Sequence, residues 1–288
     1  MTAPAPKRFP ANPILPHGAY QFIKGTGPNV RLTSFDGTVI FDIMGGVLGQ
    51  GAPEALNAAG FSDSPHLMYS GYDKNGEWYQ LFQIGFGGVP GRPVGDGPDG
   101  HSLWPAFTNV PNEFLEAYFP LRIVEYSSIP DSGGAGKHRG GNGVCTAYEF
   151  LAEGQISIHD DRWLTYPWGV NGGTPGARSN KLLKRKDGTQ EWLPSKCDRV
   201  KVSDGDILYF NTWGGGGWGD PLQRDAALVA TDVKRGLVTR EGARRYGVVI
   251  AADGSVDEKA TLALRARIAA ERPEPQLFER GGTIEELR

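Results

Sequence analysis

The sequence predicts a mainly β protein: a glycine-rich sheet or barrel-like body with polyproline-II-like segments and a small helical C-terminal appendage. Three observations predict it. The 42 glycines among 288 residues are about twice the usual share of a soluble chain, which implies many tight turns and close backbone approaches. They gather in tracts at 85–100, 133–143, 169–176 and 214–219 without the strict three-residue period of collagen. Runs rich in β-branched and aromatic residues lie between the tracts, whereas helical signals are few until the end.

Residues 1–20 are proline-rich and read as an extended arm. The strand-like runs are 38–43, 77–87, 122–129, 144–151 and 156–163. Residues 181–193 read as a hairpin, because Asp187-Gly188 sits between two β-type runs and is a favoured two-residue turn. Residues 199–212 repeat that logic around Asp204-Gly205. Short helices are expected at 52–59 and 112–118, and a helical pair at 225–235 and 240–246 divided by Gly236. Ser255 and Glu258 form a capping box that opens a helix with Ala260, Leu264 and Ile268 on one face, ending before Pro273. The division expected is an arm at 1–20, a glycine-rich β domain at 21–221 and a helical region at 222–288. No internal repeat is visible.

Composition excludes several classes of function. The net charge is −3, with a pI near 6.0 and no long basic run, so nucleic acid and anionic membrane are not the expected partners. No apolar stretch approaches the roughly 20 residues of a spanning helix. The start, Met1-Thr-Ala-Pro-Ala-Pro-Lys-Arg, lacks the apolar stretch of a secretory signal. The expected compartment is therefore the cytoplasm. Cys145 and Cys197 alone make neither a disulfide framework nor a four-ligand zinc site.

Several motifs fail on inspection. Gly95-Asp-Gly-Pro-Asp-Gly100 has the spacing of a dinucleotide fingerprint, but Pro90, Pro93 and Pro98 deny it the strand and helix that the fingerprint needs. Gly133-Gly-Ala-Gly-Lys137 lacks the leading glycine and trailing hydroxyl of a phosphate loop, although its backbone amides could hold an anion. No Gly-x-Ser-x-Gly elbow or His-Glu-x-x-His helix occurs.

The strongest polar cluster is Ile156-Ser-Ile-His159-Asp160-Asp161-Arg162-Trp163. A histidine and two carboxylates at the end of an apolar strand suit acid–base chemistry or metal ligation. The alternative is anchoring: His159 and Asp161 share one face, Asp160 points to the other, and the charges pair with neighbours. The catalytic candidates are His138, His159 and Asp161. The substrate-binding candidates are His101, Asn109, Arg139 and Lys196, and no metal ligand is assigned. His138 and Arg139 lie in a glycine loop and read equally as a solvated basic turn. Cys197 has no evident activating partner, and the Trp213–Trp218 glycine run reads as architecture.

The order of the tracts carries a resemblance. Thr108-Asn109-Val-Pro-Asn, Leu115-Glu-Ala-Tyr-Phe-Pro-Leu121 and Pro130-Asp-Ser-Gly-Gly-Ala-Gly-Lys-His-Arg-Gly-Gly-Asn-Gly143 are similar to the hydantoinase B/oxoprolinase family. So are Trp168-Gly-Val-Asn-Gly-Gly-Thr-Pro-Gly176, Leu193-Pro-Ser-Lys196, Gly214-Gly-Gly-Gly-Trp-Gly-Asp-Pro221, Val233-Lys-Arg-Gly-Leu-Val-Thr and Tyr246-Gly-Val-Val249. The match resembles the C-terminal half of that family over residues 70–250. The metal-ligand half is not expected in this chain, so no family metal site is carried over. The resemblance implies a subunit of an ATP-dependent ketone carboxylase, of the acetone or acetophenone type, or of a cyclic-amide hydrolase. A non-catalytic scaffold is the third reading. It further implies that ATP and a divalent metal sit on partner subunits: a hydantoinase A-type ATP-binding chain, and a chain supplying the N-terminal half or a full-length hydantoinase B. The variants at 107–111 and 159–163 look closer to the ketone-carboxylase branch.

Overall fold

A computed structural model describes residues 36–60, 65–101, 110–282 and residue 286. In chain order the elements are α1 (Asp36–Leu48), β1 (His66–Tyr72), β2 (Trp78–Ile84), α2 (Asn112–Tyr118), β3 (Leu121–Ser128), β4 (Val144–Phe150) and β5 (Gly154–His159). There follow β6 (Gly169–Val170), β7 (Asn180–Lys184), β8 (Gln190–Trp192), β9 (Lys196–Val202), β10 (Ile207–Asn211), α3 (Ala226–Lys234), α4 (Glu258–Glu271) and β11 (Phe278–Glu279).

The strands form a four-stranded sheet in the order β2-β1-β5-β9, a five-stranded sheet β3-β4-β10-β7-β8, and a β11-β6 pair. The ladders in both larger sheets are antiparallel. Alternation along each strand sends one face inward. Leu67, Tyr69, Ile156 and Ile158 from the first sheet meet Tyr148, Phe150, Leu208 and Phe210 from the second in one core. Tyr69 and Phe150 pack ring to ring at 4.8 Å, within the range of favourable aromatic pairs. Leu115 of α2 is buried in the same core.

The glycine tracts build a second body beside the sheets. Extended segments run alongside one another and exchange backbone hydrogen bonds outside any sheet ladder. Gly88 N donates to Trp213 O at 2.8 Å, Gly91 N to Gly216 O at 2.8 Å, Gly134 N to Gly215 O at 2.8 Å and Gly217 N to Thr174 O at 2.9 Å. Gly85, Gly88 and Gly91 recur every third residue, the repeat of a polyproline-II helix. A Cβ on Gly88 would collide with the Gly141 carbonyl and the Gly215 amide, so glycine is needed there for close approach.

The C-terminal helices are fastened to this bundle. Arg245 donates to the carbonyls of Asp131 at 2.7 Å and Gly133 at 3.0 Å. Arg272 makes a two-pronged pair with Asp220 at 2.7 and 2.6 Å. Ala135 of the bundle shares a core with Val229, Val238, Tyr246 and Val248. No helix among the described residues is long and apolar enough to cross a membrane.

The hairpin at Asp187-Gly188 forms, with β7 paired to β8, and α2 matches the helix expected at 112–118. Four expectations are corrected. Residues 38–43 are helical within α1, because the apolar run continues to Leu48 and its Gly46 packs on Trp168. The turn at Asp204-Gly205 joins no hairpin: β9 pairs with β5, whereas β10 pairs with β4 and β7. The chain crosses between sheets there. Asp257 caps α4 by accepting from Ala260 N at 2.9 Å, so Ser255 and Glu258 are not its capping box. At 52–59 only a 3₁₀ turn, Pro53–Ala55, forms. The strand β1 was not expected. The expected arm at 1–20 lies outside the described residues.

Candidate functional site

The residues His159-Asp160-Asp161-Arg162 leave the end of β5 and take four directions. His159 stays in the sheet, paired with His66 of β1 on one side and Lys196 of β9 on the other. Asp160 turns inward and forms an ion pair with Lys181 of β7, both side chains being fully buried. Asp161 accepts from Lys196 Nζ at 3.2 Å. Arg162 has φ +53°, the left-handed region that is costly for a side chain with a Cβ, and this backbone aims its buried guanidinium at Asp42 of α1. One tetrapeptide thus ties both sheets, β9 and α1 together.

Burial sets the electrostatics of this junction. It pushes the Asp42 carboxyl up to about 6 against the pull of Arg162. It raises Asp160 and lowers Lys181, each moderated by its partner. Lys181 Nζ also donates to the Asn211 carbonyl at 3.0 Å and lies 4.2 Å from the Phe210 ring centroid. Asp160 and Lys181 therefore act as an inter-sheet anchor. The solvent-facing part of the cluster is His159, Asp161 and Lys196.

Across the end of the four-stranded sheet a row forms on its outer face. Phe82 and His66 have ring centroids 5.0 Å apart, and His66 and His159 stack at 5.7 Å with 24° between planes. Lys196 follows on β9. His66 is only 5% exposed, and burial, then the neighbouring His159, push its imidazole down to about 4. His66 is the site residue that sequence reasoning missed. The alternation of His66, Met68 and Ser70 against Leu67 and Tyr69 was a usable strand signal, but nothing local announces the pairing with His159.

His138 and Arg139 lie elsewhere, against the glycine bundle. His138 exchanges backbone hydrogen bonds with Trp218, both at 2.9 Å, and packs on its ring at 5.6 Å. Burial lowers its imidazole, opposed by Asp96, whose carboxylate is 3.9 Å away. Arg139 is buried and grips Asp99 at 2.7 and 3.0 Å. Arg224 bridges Asp96 and Asp232 beside it. Arg139 thus belongs to an internal lattice of arginines and aspartates. His101 is exposed and bridges to Gly87. Asn109 lies outside the described residues.

The anion reading of the 133–137 loop is corrected by its hydrogen bonds. Gly133 N donates to Asn142 Oδ1 at 2.9 Å, Ala135 N to Thr174 Oγ1 at 2.7 Å and Lys137 N to Gly219 O at 3.1 Å. These amides point into the protein. Among the described residues no group of three or more His, Cys, Asp and Glu side chains is placed to hold a metal ion. Burial pushes both thiols up, Cys145 to about 11, which suits neither to nucleophilic attack.

Paired antiparallel sheets beside a glycine-rich bundle define a fold found in large ATP-dependent enzymes. The crystal structure of an ATP-dependent caprolactamase from Pseudomonas jessenii superposes with a TM-score of 0.62 at 30% identity, over 76% of this chain and 40% of that one. The chain belongs to the hydantoinase B/oxoprolinase family, whose sequence pattern matches residues 28–221. The acetone carboxylase alpha subunit of Xanthobacter autotrophicus is 29% identical, over 78% of this chain and 34% of its own. An uncharacterized protein of Methanocaldococcus jannaschii is 43% identical over 54% of this chain and 28% of its own. The chain spans less than half the length of each of these relatives.

Proposed function

We propose that this chain is one part of a multi-subunit, ATP-dependent enzyme acting on the carbonyl group of a small molecule. The observation that carries the reading is family membership over most of the chain, with relatives that include an acetone carboxylase subunit and an ATP-dependent caprolactamase. ATP and the divalent metal belong to partner subunits in this reading: a hydantoinase A-type chain, and a chain with the rest of the hydantoinase B fold. The exposed apolar stripe Met44, Val47 and Leu48 on α1 is surface that such an assembly would cover.

Two substrate classes fit. Caprolactamase matches 31% of positions over 87% of the chain, against 29% over 78% for the acetone carboxylase subunit, and on that broader coverage we take cyclic amides as the first reading. The variants at 107–111 and 159–163 keep a ketone awaiting carboxylation as the second reading. The reconstituted complex should consume ATP only with its substrate. Caprolactam, a hydantoin, 5-oxoproline, and acetone with bicarbonate form the panel. ATP-dependent ring opening supports the first reading, and carboxylate formation from acetone supports the second. If His138→Ala, His159→Ala and Asp161→Ala complexes all turn over normally, the chain is a scaffold.

A further inference from the structure

We propose that His66 and His159 work as a single-proton imidazole pair, a proton-transfer site that a substrate reaches from the Lys196 side. The inference rests on the reading above for its chemistry but on the sheet for its geometry. The two histidines are register partners on adjacent antiparallel strands, so their side chains must project from the same face. Their rings stack at 5.7 Å. Phe82 closes the far side of His66 and shields it from water.

Two imidazolium rings so close and partly dry repel each other, and the second proton is disfavoured. Among the described residues, the charged groups beside the pair are Lys196 of β9 and Asp161, which bind each other at 3.2 Å. Asp161 offsets part of the Lys196 charge and holds its ammonium in place. From β2 the neighbour is the apolar Phe82. The two members are unequal: His66 is buried, and His159 is half-buried beside exposed Lys196. The outer ring therefore exchanges the proton with substrate, and the inner ring stays neutral.

The step is a simple transfer. An O–H or N–H group of the reacting carbonyl compound gives its proton to a ring nitrogen of His159. The bonding electrons stay on the substrate oxygen or nitrogen, and His159 becomes an imidazolium until the proton returns. Lys196, held by Asp161, offers a positive charge to the oxygen or nitrogen that has lost its proton. His66 is a positioning residue: it fixes the ring plane of His159 by stacking and limits the pair to one proton.

Nitrogen-15 NMR titration of the histidine rings in the intact chain tests this without activity. The pair should take up a single proton, on His159, with His66 neutral down to about pH 4. In His66→Gln, His159 should bind its proton more tightly by roughly threefold or more. The reciprocal His159→Gln should do the same for His66, which covers the case in which one variant folds poorly. Independent titration of both rings near 6.5 in the wild type, or an unmoved midpoint in both variants, overturns the pair. In the assembled enzyme, His159→Gln should abolish the acidic limb of the pH–rate profile. Coupled rings with an unchanged profile would overturn the proton-transfer role. Coupled rings in a complex with no ATP-dependent activity on carbonyl compounds would instead refute the proposed function alone.

Discussion

Lys181 and Asp160 are fully buried partners on opposite sheets, and each keeps the other's charge tolerable. Replacing Lys181 with Ala strands a carboxylate in the core and should cost about 3–5 kcal/mol. The double variant Lys181→Met/Asp160→Leu should recover most of that loss in urea unfolding. An equal loss in both would mean that the site needs ionic groups for packing. His66 carries a second residue-scale prediction. Its imidazole is depressed from 6.5 to about 4 in the fold, so the unfolded chain binds the extra proton first. Stability from this group is complete above pH 6.5 and is lost as pH falls towards 4, by up to about 3 kcal/mol. Asp42, raised to about 6, acts in the opposite sense over the same window. The measurement is therefore the difference between wild type and His66→Gln, in which Asp42 cancels. The variant should lose less stability between pH 7 and 4.5. Parallel curves would contradict the assignment.

At the scale of elements, the glycine bundle is the least forgiving part of the molecule. Gly88 faces the Gly141 carbonyl and the Gly215 amide with no room for a methyl group. Gly88→Ala should destabilise by more than about 3 kcal/mol, in the range reserved for overpacking. Gly76→Ala tests the contrast. Its φ is +79° and a Cβ there would meet open space, so the left-handed backbone cost alone, about 1–2 kcal/mol, is expected. Thermal unfolding of the two variants separates close approach from turn geometry.

The same elements show what the sequence could reveal. Asp187-Gly188 marked its hairpin because the turn chemistry is local. Asp204-Gly205 marked a turn equally well, but its flanking strands pair with β5 and with β4 and β7, partners set by the packing of two sheets. Apolar 38–43 looked like a strand because short apolar runs do not distinguish strand from helix; tertiary contacts of Asp42 and Gly46 decide for helix. In the site, His159, Asp161 and Lys196 were legible from residue type at a strand end. His66 was not, since it joins them only through the register of β1 on β5. Arg139 was legible as a loop arginine, but its burial against Asp99 depends on a segment 40 residues away.

For the whole molecule, the sheets supply a rigid platform, the bundle locks backbone to backbone, and the junction at 159–162 holds the outer row at the edge of that platform. The proposed acid–base pair and its lysine at that edge would act on a substrate activated by another subunit. The central claim is therefore one of division of labour. The most direct measurement is ATP-dependent turnover by the purified chain, alone and after reconstitution with identified hydantoinase A-type and hydantoinase B partners. The account predicts no turnover from the chain alone and substrate-dependent ATP consumption on reconstitution, with chains of both partner types in the particle. Full ATP-dependent turnover by a single 31.1 kDa chain would contradict it.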